Sequence, residues 1–350
     1  MALHSPAAAL TLRLEMTIPE SFPAFLATQR DDAVDRGVAT LARDDLGDGE
    51  VTVRVDWSSI NYKDALATIP KGQVARISPL VPGIDLAGEV VASDSDAFAA
   101  GDQVLATSYD LGVAHHGGWA RYARVPADWV VALPDGLSLR EAMALGTAGL
   151  TAGLSIHALE AHGLTPDDGP VLVLGASGGV GSTAVGALAG AGYEVWAATG
   201  KAAQHDYLRG LGAHEIVTRE ETTAESERPL EKMRWAAAVD PVGGAATAYA
   251  LRTTRYGGAV AVSGLTGGAG LKTTVLPFIL RSVSLLGIDS VAAGADLRRE
   301  VWARLAGDLR PRGLGEAIAR EVDLDGIEPV LDALLAGQAV GRTVVRLPEG

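Results

Sequence analysis

The sequence predicts an α/β protein in two parts, one rich in β-strands and one built on a parallel sheet. In the first third of the chain, short apolar runs alternate with glycine and proline turns, a spacing typical of a compact β domain. After about Ser138, apolar runs are separated by helical segments, which indicates a parallel sheet covered by helices on both faces. A chain of 350 residues is long enough for two domains of this kind.

The composition narrows the possible functions. The net charge of -14 argues against nucleic acid and anionic membranes as partners. The absence of cysteine excludes disulfides, Cys-ligated zinc, iron–sulfur clusters and thiol nucleophiles. No apolar run reaches the ~18–20 residues of a membrane helix, and the N-terminus lacks the basic start and apolar block of a signal peptide. We therefore expect a cytoplasmic protein in which residues 1–20 form an N-terminal extension.

Strands are predicted first along the chain. Residues 22–28 form the first of them, and residues 50–56 place Val51, Val53 and Val55 inward between polar neighbours. This alternation with a period of two is typical of a half-buried strand. Further strands are predicted over 88–92, 103–107 and 129–132. Their spacing favours a barrel or a partly open roll.

The second part alternates strands with helices. A helix is predicted over 139–163, then a strand over 171–174 and a helix through residue 188. Later strands are predicted over 194–199, 215–218, 236–240, 259–263 and 284–288, with a helix over 204–211 and a charged surface loop over 220–231. Two helical patterns from about residue 296 and a last strand over 342–347 complete the chain.

A glycine-rich turn follows the strand over 171–174. Gly175, Gly178 and Gly181 lie between this strand and the next helix. Glycine permits a sharp turn and lets backbone N–H groups approach a pyrophosphate, while the helix N-terminus adds a partial positive charge. A tight turn without a ligand is the alternative. The succession of strand, loop, helix and second strand favours dinucleotide binding in a Rossmann-type domain.

The end of the second strand of this unit narrows the choice of cofactor. An NAD site usually has Asp or Glu there, bonded to the ribose 2′-OH. This chain has Thr199, Gly200 and Lys201, and Lys201 can bind a 2′-phosphate that a carboxylate would repel. Arg219 either adds a second positive charge or belongs to an exposed cluster with the glutamates that follow it. The sequence therefore favours NADPH, with a solvated surface lysine as the alternative interpretation of Lys201.

Six stretches of the chain resemble one enzyme family. They are WSSINYKDAL at 57–66, PGIDLAG at 82–88, GTAGLTA at 146–152, GASGGVGS at 175–182, PFILR at 277–281 and LGIDS at 286–290. Several of them are not general features of dinucleotide-binding folds. On these stretches the chain resembles the medium-chain dehydrogenase/reductase superfamily, and more narrowly the YhdH/YhfP-type quinone oxidoreductases, which include the acrylyl-CoA reductases.

The resemblance implies a β-rich, GroES-like catalytic domain over 21–140 and 292–350, with a Rossmann-type domain over 141–291 inserted in it. It also implies a homodimer, and cofactor contacts at Tyr62, Ser177, Gly178, Gly179, Val180, Thr199, Gly200, Lys201, Arg219, Leu265, Ile279, Ser290 and Arg342. Relatives often carry arginine at the position of Lys201. Lysine keeps the charge but lacks the bidentate fork of arginine. We therefore expect a weaker preference for a cofactor that carries the 2′-phosphate over one that lacks it.

The chemistry predicted for this chain needs no metal. Zinc-dependent members of the superfamily use cysteine and histidine ligands, and the adjacent His115 and His116 are poor joint ligands because neighbouring strand side chains point to opposite faces. An activated alkene can be reduced by hydride transfer to its β-carbon and protonation of its α-carbon, with hydrogen bonds to the enolate oxygen. We therefore expect NADPH as the cofactor and no metal ion.

Asn61, Tyr62 and Asp64 are the candidate catalytic residues. Tyr62 either donates a proton or holds the nicotinamide or the substrate, and Asn61 positions a carbonyl group. Asp64 either takes part in the chemistry or caps a helix. The predicted function is NADPH-dependent reduction of a short 2-enoyl-CoA, such as acrylyl-CoA to propionyl-CoA. The alternatives are an NADPH:quinone oxidoreductase and a non-catalytic NADPH-binding sensor.

Overall fold

A computed structural model describes residues 18–315 and 318–348. Residues 1–17, most of the predicted N-terminal extension, lie outside the described residues. The strands are β1 (Ser21–Gln29), β2 (Val34–Ala42), β3 (Val51–Ser59), β4 (Asp85–Ser93), β5 (Gln103–Thr107), β6 (Tyr122–Val125), β7 (Val130–Ala132), β8 (Val171–Val173), β9 (Val195–Thr199), β10 (Glu215–Thr218), β11 (Trp235–Asp240), β12 (Thr254–Val262), β13 (Ser284–Gly287), β14 (Ala319–Val322) and β15 (Arg342–Arg346). The helices are α1 (Tyr62–Ala67), α2 (Leu139–Ala161), α3 (Gly179–Gly190), α4 (His205–Gly210), α5 (Arg219–Thr223), α6 (Gly244–Thr253), α7 (Leu276–Arg281), α8 (Ala295–Ala306) and α9 (Ile327–Leu335).

A six-stranded parallel sheet forms one half of the molecule. Its strand order is β10-β9-β8-β11-β12-β13. The chain moves outward in one direction from β8 and in the other from β11, so a crevice opens at the carboxyl ends of these two strands. All three residues of β8, from Val171 to Val173, are fully buried. This continuous burial is what helices on both faces of a parallel sheet require.

The other half is a β-rich sheet that both ends of the chain build together. Its strand order is β14-β15-β3-β4-β5-β7, and β6 also pairs with β3. The C-terminal strand β15 runs antiparallel to β3. Strands β1 and β2 form a separate antiparallel hairpin, and β1 makes isolated bridges to Leu80 and Ala120. Val51, Val53 and Val55 are fully buried, whereas Arg54 and Asp56 are partly exposed. The predicted alternation holds for these five residues, but Thr52, predicted to face outward, is buried as well. The fold class, a Rossmann-type sheet with a GroES-like domain, is confirmed.

Helix α2 packs between the two halves. It contacts β3 and β4 on one side and α3 on the other. Contrary to the sequence prediction, this 23-residue helix is long and apolar enough to cross a membrane, but 83% of its apolar window is buried inside the protein. We interpret it as a core helix. Gly146 interrupts its helical backbone with φ 51° and ψ -155°, which turns the peptide groups that follow toward β4.

Three local predictions differ from the structure. The stretch after β3, for which the sequence predicted no helix bounds, begins helix α1, because the Asp64 carboxylate caps the helix N-terminus. The predicted loop over 220–231 begins as helix α5, which Thr218 caps. Strands β2, β6 and β14 are not predicted, because their mixed exposure leaves no clear period in the sequence. The domain bounds of 21–140, 141–291 and 292–350 stay a prediction.

Candidate active site

A cleft of about 760 Å³ lies between the two halves, at the carboxyl ends of the parallel strands. The predicted site residues that line it are Asn61, Tyr62, Ser177, Gly178, Gly179, Val180, Thr199, Gly200, Lys201, Arg219, Ser290 and Arg342. Three others, Asp64, Leu265 and Ile279, do not line it. The carboxyl-end crevice is where doubly wound sheets bind dinucleotides, so the cleft has the expected place in the fold.

The glycine residues of the turn after β8 allow a tight reversal of the chain and close packing of α3 against it. Gly175 has φ 56°, which lets the chain reverse directly after β8. A Cβ atom on Gly181 would lie 2.4 Å from the Gly175 carbonyl oxygen, so a larger residue would push α3 away from β8. Helix α3 begins at Gly179, and Gly179, Val180 and Gly181 line the cleft. The N–H groups at the start of a helix have no partner within it. The turn therefore fits the pyrophosphate of a dinucleotide.

Two cations gather at the far end of the cleft. Lys201 Nζ donates to the Ala339 carbonyl oxygen at 2.6 Å, and so reaches from β9 to the chain that follows α9. Burial, together with nearby Arg219, lowers the pKa of Lys201. A Cβ atom on Gly200 would lie 2.7 Å from Arg219 Nε, so glycine gives this guanidinium room beside the end of β9. Two cations without a carboxylate at the end of β9 fit a 2′-phosphate.

A completely buried carboxylate, Asp85, lies beneath the other end of the cleft. It accepts hydrogen bonds from the Ser59 hydroxyl at 2.5 Å, the Asn61 amide at 2.8 Å and the Thr147 hydroxyl at 2.6 Å. The Thr147 backbone N–H lies 2.9 Å from one carboxylate oxygen, and Arg342 lies 3.6 Å from the other. The network thus supplies the partners that a buried carboxylate requires.

Asn61 and Arg342 direct their polar atoms into the same network. Asn61 Oδ1 accepts from Arg342 Nη1 at 2.9 Å, while its amide nitrogen donates to Asp85. Arg342 also donates to the Ser59 hydroxyl at 2.7 Å and to the Ile60 carbonyl at 3.3 Å. Burial lowers the pKa of Arg342, and Asp85 opposes that shift. Both residues line the cleft, and their polar atoms hold the network together. The direct substrate role expected for Asn61 stays a prediction.

A short chain of hydroxyl groups leads from the cleft to Asp85. Ser108 and Thr147 both line the cleft, and their hydroxyl oxygens are 2.9 Å apart. Because Thr147 donates its single hydroxyl proton to Asp85, Ser108 must be the donor in this pair. Ser108 therefore presents only lone pairs to the cleft. Donation to a developing oxyanion falls to other groups, and Tyr62, with its side chain 43% exposed, carries such a hydroxyl.

Asp64 has a structural role, which corrects its assignment as a candidate catalytic residue. It is completely buried, and its carboxylate accepts backbone N–H groups from Asn61 at 2.7 Å, Gly83 at 3.1 Å and Ile84 at 2.9 Å. These bonds cap α1 and tie it to the turn before β4. Burial, together with nearby Asp85, raises the pKa of Asp64 to about 7. The alternative that the sequence left open, a helix cap, is the one observed.

Leu265 and Ile279, the two other expected cofactor contacts, stay predictions. Each is 66% exposed and lies outside the cleft lining. The loop after β12 brings Ser263 and Thr266 to the cleft instead, on either side of Leu265. Ile279 lies on α7, which precedes the edge strand β13 in the chain.

The histidines are held by the backbone. The His115 ring nitrogens lie 2.8 Å from the His116 carbonyl oxygen and 2.7 Å from that of Asp48. The Val81 backbone N–H donates to His116 Nδ1 at 3.0 Å. Within residues 18–315 and 318–348, no group of three or more His, Asp or Glu side chains is placed to hold a metal ion.

Four members of the network, namely Ser59, Asp85, Ser108 and Thr147, have no role predicted from the sequence. Asp85 and Thr147 do lie in stretches that carry the family resemblance. Their signal was a carboxylate and a hydroxyl inside apolar runs, since a buried polar group needs a partner. Ser108 carries no such signal. It reaches the cleft because its φ of 65° turns the chain after β5, which only the folded backbone shows.

Comparison with known proteins agrees with this geometry. Residues 47–135 match the family of alcohol dehydrogenase GroES-like domains, and residues 179–307 match that of zinc-binding dehydrogenases. The chain is 51% identical over 308 residues to acrylyl-CoA reductase AcuI of Ruegeria pomeroyi, covering 88% of this chain and 93% of the relative. It is 49% identical over 326 residues to the putative quinone oxidoreductase YhfP of Bacillus subtilis, covering 93% and 99%.

Solved structures of relatives share the fold of this chain. The yhdH oxidoreductase of Salmonella enterica in complex with NADP superposes with a TM-score of 0.90 at 49% identity, covering 93% of this chain and 100% of that one. YhfP of Bacillus subtilis with NAD bound superposes with a TM-score of 0.91 at 49% identity, covering 93% and 99%. These matches confirm the resemblance that the six sequence stretches indicated.

We expect Gly146→Ala to destabilise the protein strongly. The new Cβ atom would lie 2.4 Å from Asp85 Oδ2 and 2.7 Å from Arg342 Nη2, at a residue with φ 51°. We expect the free energy of unfolding, measured in urea, to fall by about 3 kcal/mol or more. Gly163→Ala is the control, because Gly163 has φ 108° with nothing within 4 Å. Its free energy of unfolding should fall by only about 1 kcal/mol, owing to backbone strain. Equal losses would contradict the close packing at Gly146.

We expect Asp64 to make the protein less stable as the pH rises. Its folded pKa of about 7 lies above the ordinary value of 3.8, so the folded protein keeps a proton that the unfolded chain has released. This contribution to stability is complete below pH ~4 and is lost as the pH rises to ~7. Urea unfolding across this range should show a shallower decline in Asp64→Asn than in the wild type. Asp110→Asn, at a half-exposed site, should keep the wild-type slope; the same slope in all three proteins would refute the prediction.

Proposed function

Because the chain belongs to the medium-chain dehydrogenase/reductase family, we propose that it is an NADPH-dependent reductase of activated carbon–carbon double bonds. The proposed substrate class is a short 2-enoyl-CoA, with acrylyl-CoA reduced to propionyl-CoA as the reaction. The observation that carries the proposal is the single cleft that joins the pyrophosphate turn and the pair Lys201 and Arg219 to Tyr62. The likeness to an acrylyl-CoA reductase over 88% of the chain supports the substrate class.

The proposed chemistry assigns the proton to Tyr62. When bound, NADPH supplies the hydride that adds to the β-carbon of the substrate. The Tyr62 hydroxyl donates the proton that the α-carbon receives, and its half-exposed ring leaves the oxygen open to reprotonation from water. The Asp85 network holds Asn61, directly before Tyr62, and so positions the start of α1. Ser108 is oriented as an acceptor and does not compete for this role.

NADPH is the proposed cofactor because the residues of the cleft fit its distinguishing phosphate. Ser177, Gly178, Gly179 and Val180 would contact the pyrophosphate, Thr199, Gly200, Lys201 and Arg219 the 2′-phosphate end, and Ser290 the nicotinamide end. The relative yhdH binds NADP, while YhfP has been solved with NAD. A lysine in place of arginine provides a single charge without a bidentate fork. We therefore propose a preference for NADPH rather than an absolute requirement.

Quinone reduction is the second candidate. The 49% identity to the putative quinone oxidoreductase YhfP favours it, and the half-exposed Tyr62 leaves the cleft open to a flat substrate. A non-catalytic sensor is the third candidate. NADPH binding without turnover on any alkene or quinone would favour the sensor.

We also propose a homodimer in the cytoplasm. The edge strand β13 pairs only with β12 among the described strands, and Val275, Ile279 and Leu280, which precede β13 in the chain, are between 58% and 66% exposed. An unpaired strand edge with an apolar neighbour is a surface suited to a second copy of the chain. Sedimentation that finds only monomer at micromolar concentration would contradict the dimer, and cell fractionation tests the location.

We expect the protein to oxidise NADPH in the presence of acryloyl-CoA. The absorbance at the nicotinamide band measures turnover, with NADH and a small quinone as comparisons. Fast turnover with acryloyl-CoA that is slower with NADH would support the proposal. Quinone turnover without acryloyl-CoA turnover would establish the second candidate instead.

We expect Tyr62→Phe to lower kcat by about 10²-fold or more, because it removes the proposed proton donor while keeping the ring. Tyr256→Phe is the matched control, since Tyr256 is 72% exposed and lies outside the cleft lining. Stopped-flow and steady-state assays with acryloyl-CoA measure both variants. Unchanged turnover in Tyr62→Phe would exclude Tyr62 as the donor.

We expect Lys201→Ala to lower kcat/KM for NADPH by about tenfold and to leave that for NADH nearly unchanged, because only NADPH carries the 2′-phosphate. The exposed Lys232→Ala is the control for a general loss of positive charge. A parallel loss with both cofactors would show instead that Lys201 supports the fold through its bond to the Ala339 carbonyl.

A further inference from the structure

We propose that Arg298 is a positioning residue that fixes the separation of the two cleft walls at the catalytic end. Arg298 lies on α8, in the segment that returns from the parallel sheet to the β-rich sheet, and only 1% of its surface is exposed. It does not line the cleft itself. The inference rests on the proposed function only where turnover is the measurement.

Each N–H group of the Arg298 guanidinium has an acceptor. Nη1 donates to the Thr107 carbonyl at 3.1 Å and to its hydroxyl at 3.2 Å. Nη2 donates to the carbonyls of Ser290 at 2.7 Å and Val291 at 2.8 Å. Nε donates to the Ala293 carbonyl at 3.0 Å. One planar group therefore holds two chain segments that are distant in sequence.

Those two segments come from different halves of the protein, and both border the cleft. Thr107 ends β5 and directly precedes Ser108, which lines the cleft from the β-rich half. Ser290 and Val291 follow β13 and line it from the nucleotide half. A shift of Arg298 would therefore change the distance between the proposed nicotinamide end and the substrate wall.

The aromatic surroundings of Arg298 hold the same wall. The Tyr109 ring lies 4.1 Å from Arg298 Cζ and stacks on Trp129, with ring centroids 5.4 Å apart. Ser108 and Tyr109 both have left-handed backbone, with φ 65° and φ 51°, a conformation that costs energy in residues other than glycine. The guanidinium binds on both sides of this turn, through the Thr107 carbonyl and the Tyr109 ring, and so stabilises it.

The hydrogen bonds of Arg298 indicate that it positions the cleft segments, in addition to any contribution to stability. The acceptors are carbonyls and a hydroxyl, and burial lowers the pKa of Arg298. An apolar side chain in its place would leave these buried carbonyls without donors, so Arg298 also stabilises the fold. Its planar fork does fix the direction of each acceptor, which lysine cannot do. Hydride transfer needs reacting atoms about 3–3.5 Å apart, and a misplacement of about 1 Å can lower the rate about 10²-fold.

The test compares Arg298→Met and Arg298→Lys with Val301→Ala, a fully buried control on the same helix that packs against α2. We expect kcat to fall about 100-fold in Arg298→Met and about tenfold in Arg298→Lys, with the Kd for NADPH changed less than about threefold. NADPH deuterated at C4 should show a larger isotope effect on kcat in both Arg298 variants. Val301→Ala should lose thermal stability but keep kcat and the isotope effect.

A readout without turnover separates this inference from the proposed function. The fluorescence of bound NADPH reports the surroundings of the nicotinamide, and we expect its emission to shift in the Arg298 variants but not in Val301→Ala. Wild-type protein that binds NADPH but reduces no substrate would overturn the proposed function, while the fluorescence still decides the role of Arg298. Emission and kcat that match those of Val301→Ala at equal folded fraction would overturn the positioning role. If Arg298→Met does not fold, Arg298→Lys carries the same comparison.

Discussion

The charge of one buried carboxylate organises the centre of this protein. Asp85 lies at the start of β4 and draws donors from β3, from the break in α2 and from β15. A buried carboxylate is tolerated only when such partners surround it, so the elements that supply them must meet there. The left-handed Gly146 is part of the same constraint, because it frees the Thr147 backbone N–H from the helix and leaves no space for a Cβ atom.

This arrangement also gives the cleft a polarity along its length. At one end, Lys201 and Arg219 provide positive charge where β9 finishes. In the middle, the glycine-rich turn offers backbone N–H groups at the start of α3. At the other end, Asp85 accepts the Thr147 hydroxyl proton, so that Ser108 presents lone pairs to the cleft. Tyr62 lines the same end and is half-exposed. The proposed chemistry follows from these directions more than from the residue types alone.

The sequence pattern predicted a structural element correctly where the residues of a single segment determine that element. The parallel sheet, the buried valines of β3 and the turn at Gly175 follow from runs, alternation and spacing within a few residues. The hydrogen-bond partners of Asp64 and Asn61 could not be predicted from the sequence, because a carboxylate or an amide after a strand can face solvent, a ligand or the protein interior. In the fold, backbone N–H groups from the turn before β4 donate to the Asp64 carboxylate. Arg342, nearly three hundred residues away in sequence, donates to the Asn61 side-chain oxygen.

The sequence by itself determined the two-part α/β architecture, the dinucleotide turn, the lack of cysteine chemistry and the family to which the chain belongs. These features depend on side-chain hydrophobicity and backbone freedom, which act over short distances along the chain. Only the tertiary structure decided which polar groups face the cleft and which are consumed inside the protein. Hydrogen bonds saturate, so the function of Asn61, Asp64 and Arg298 depends on which partners the fold brings within about 3 Å of them.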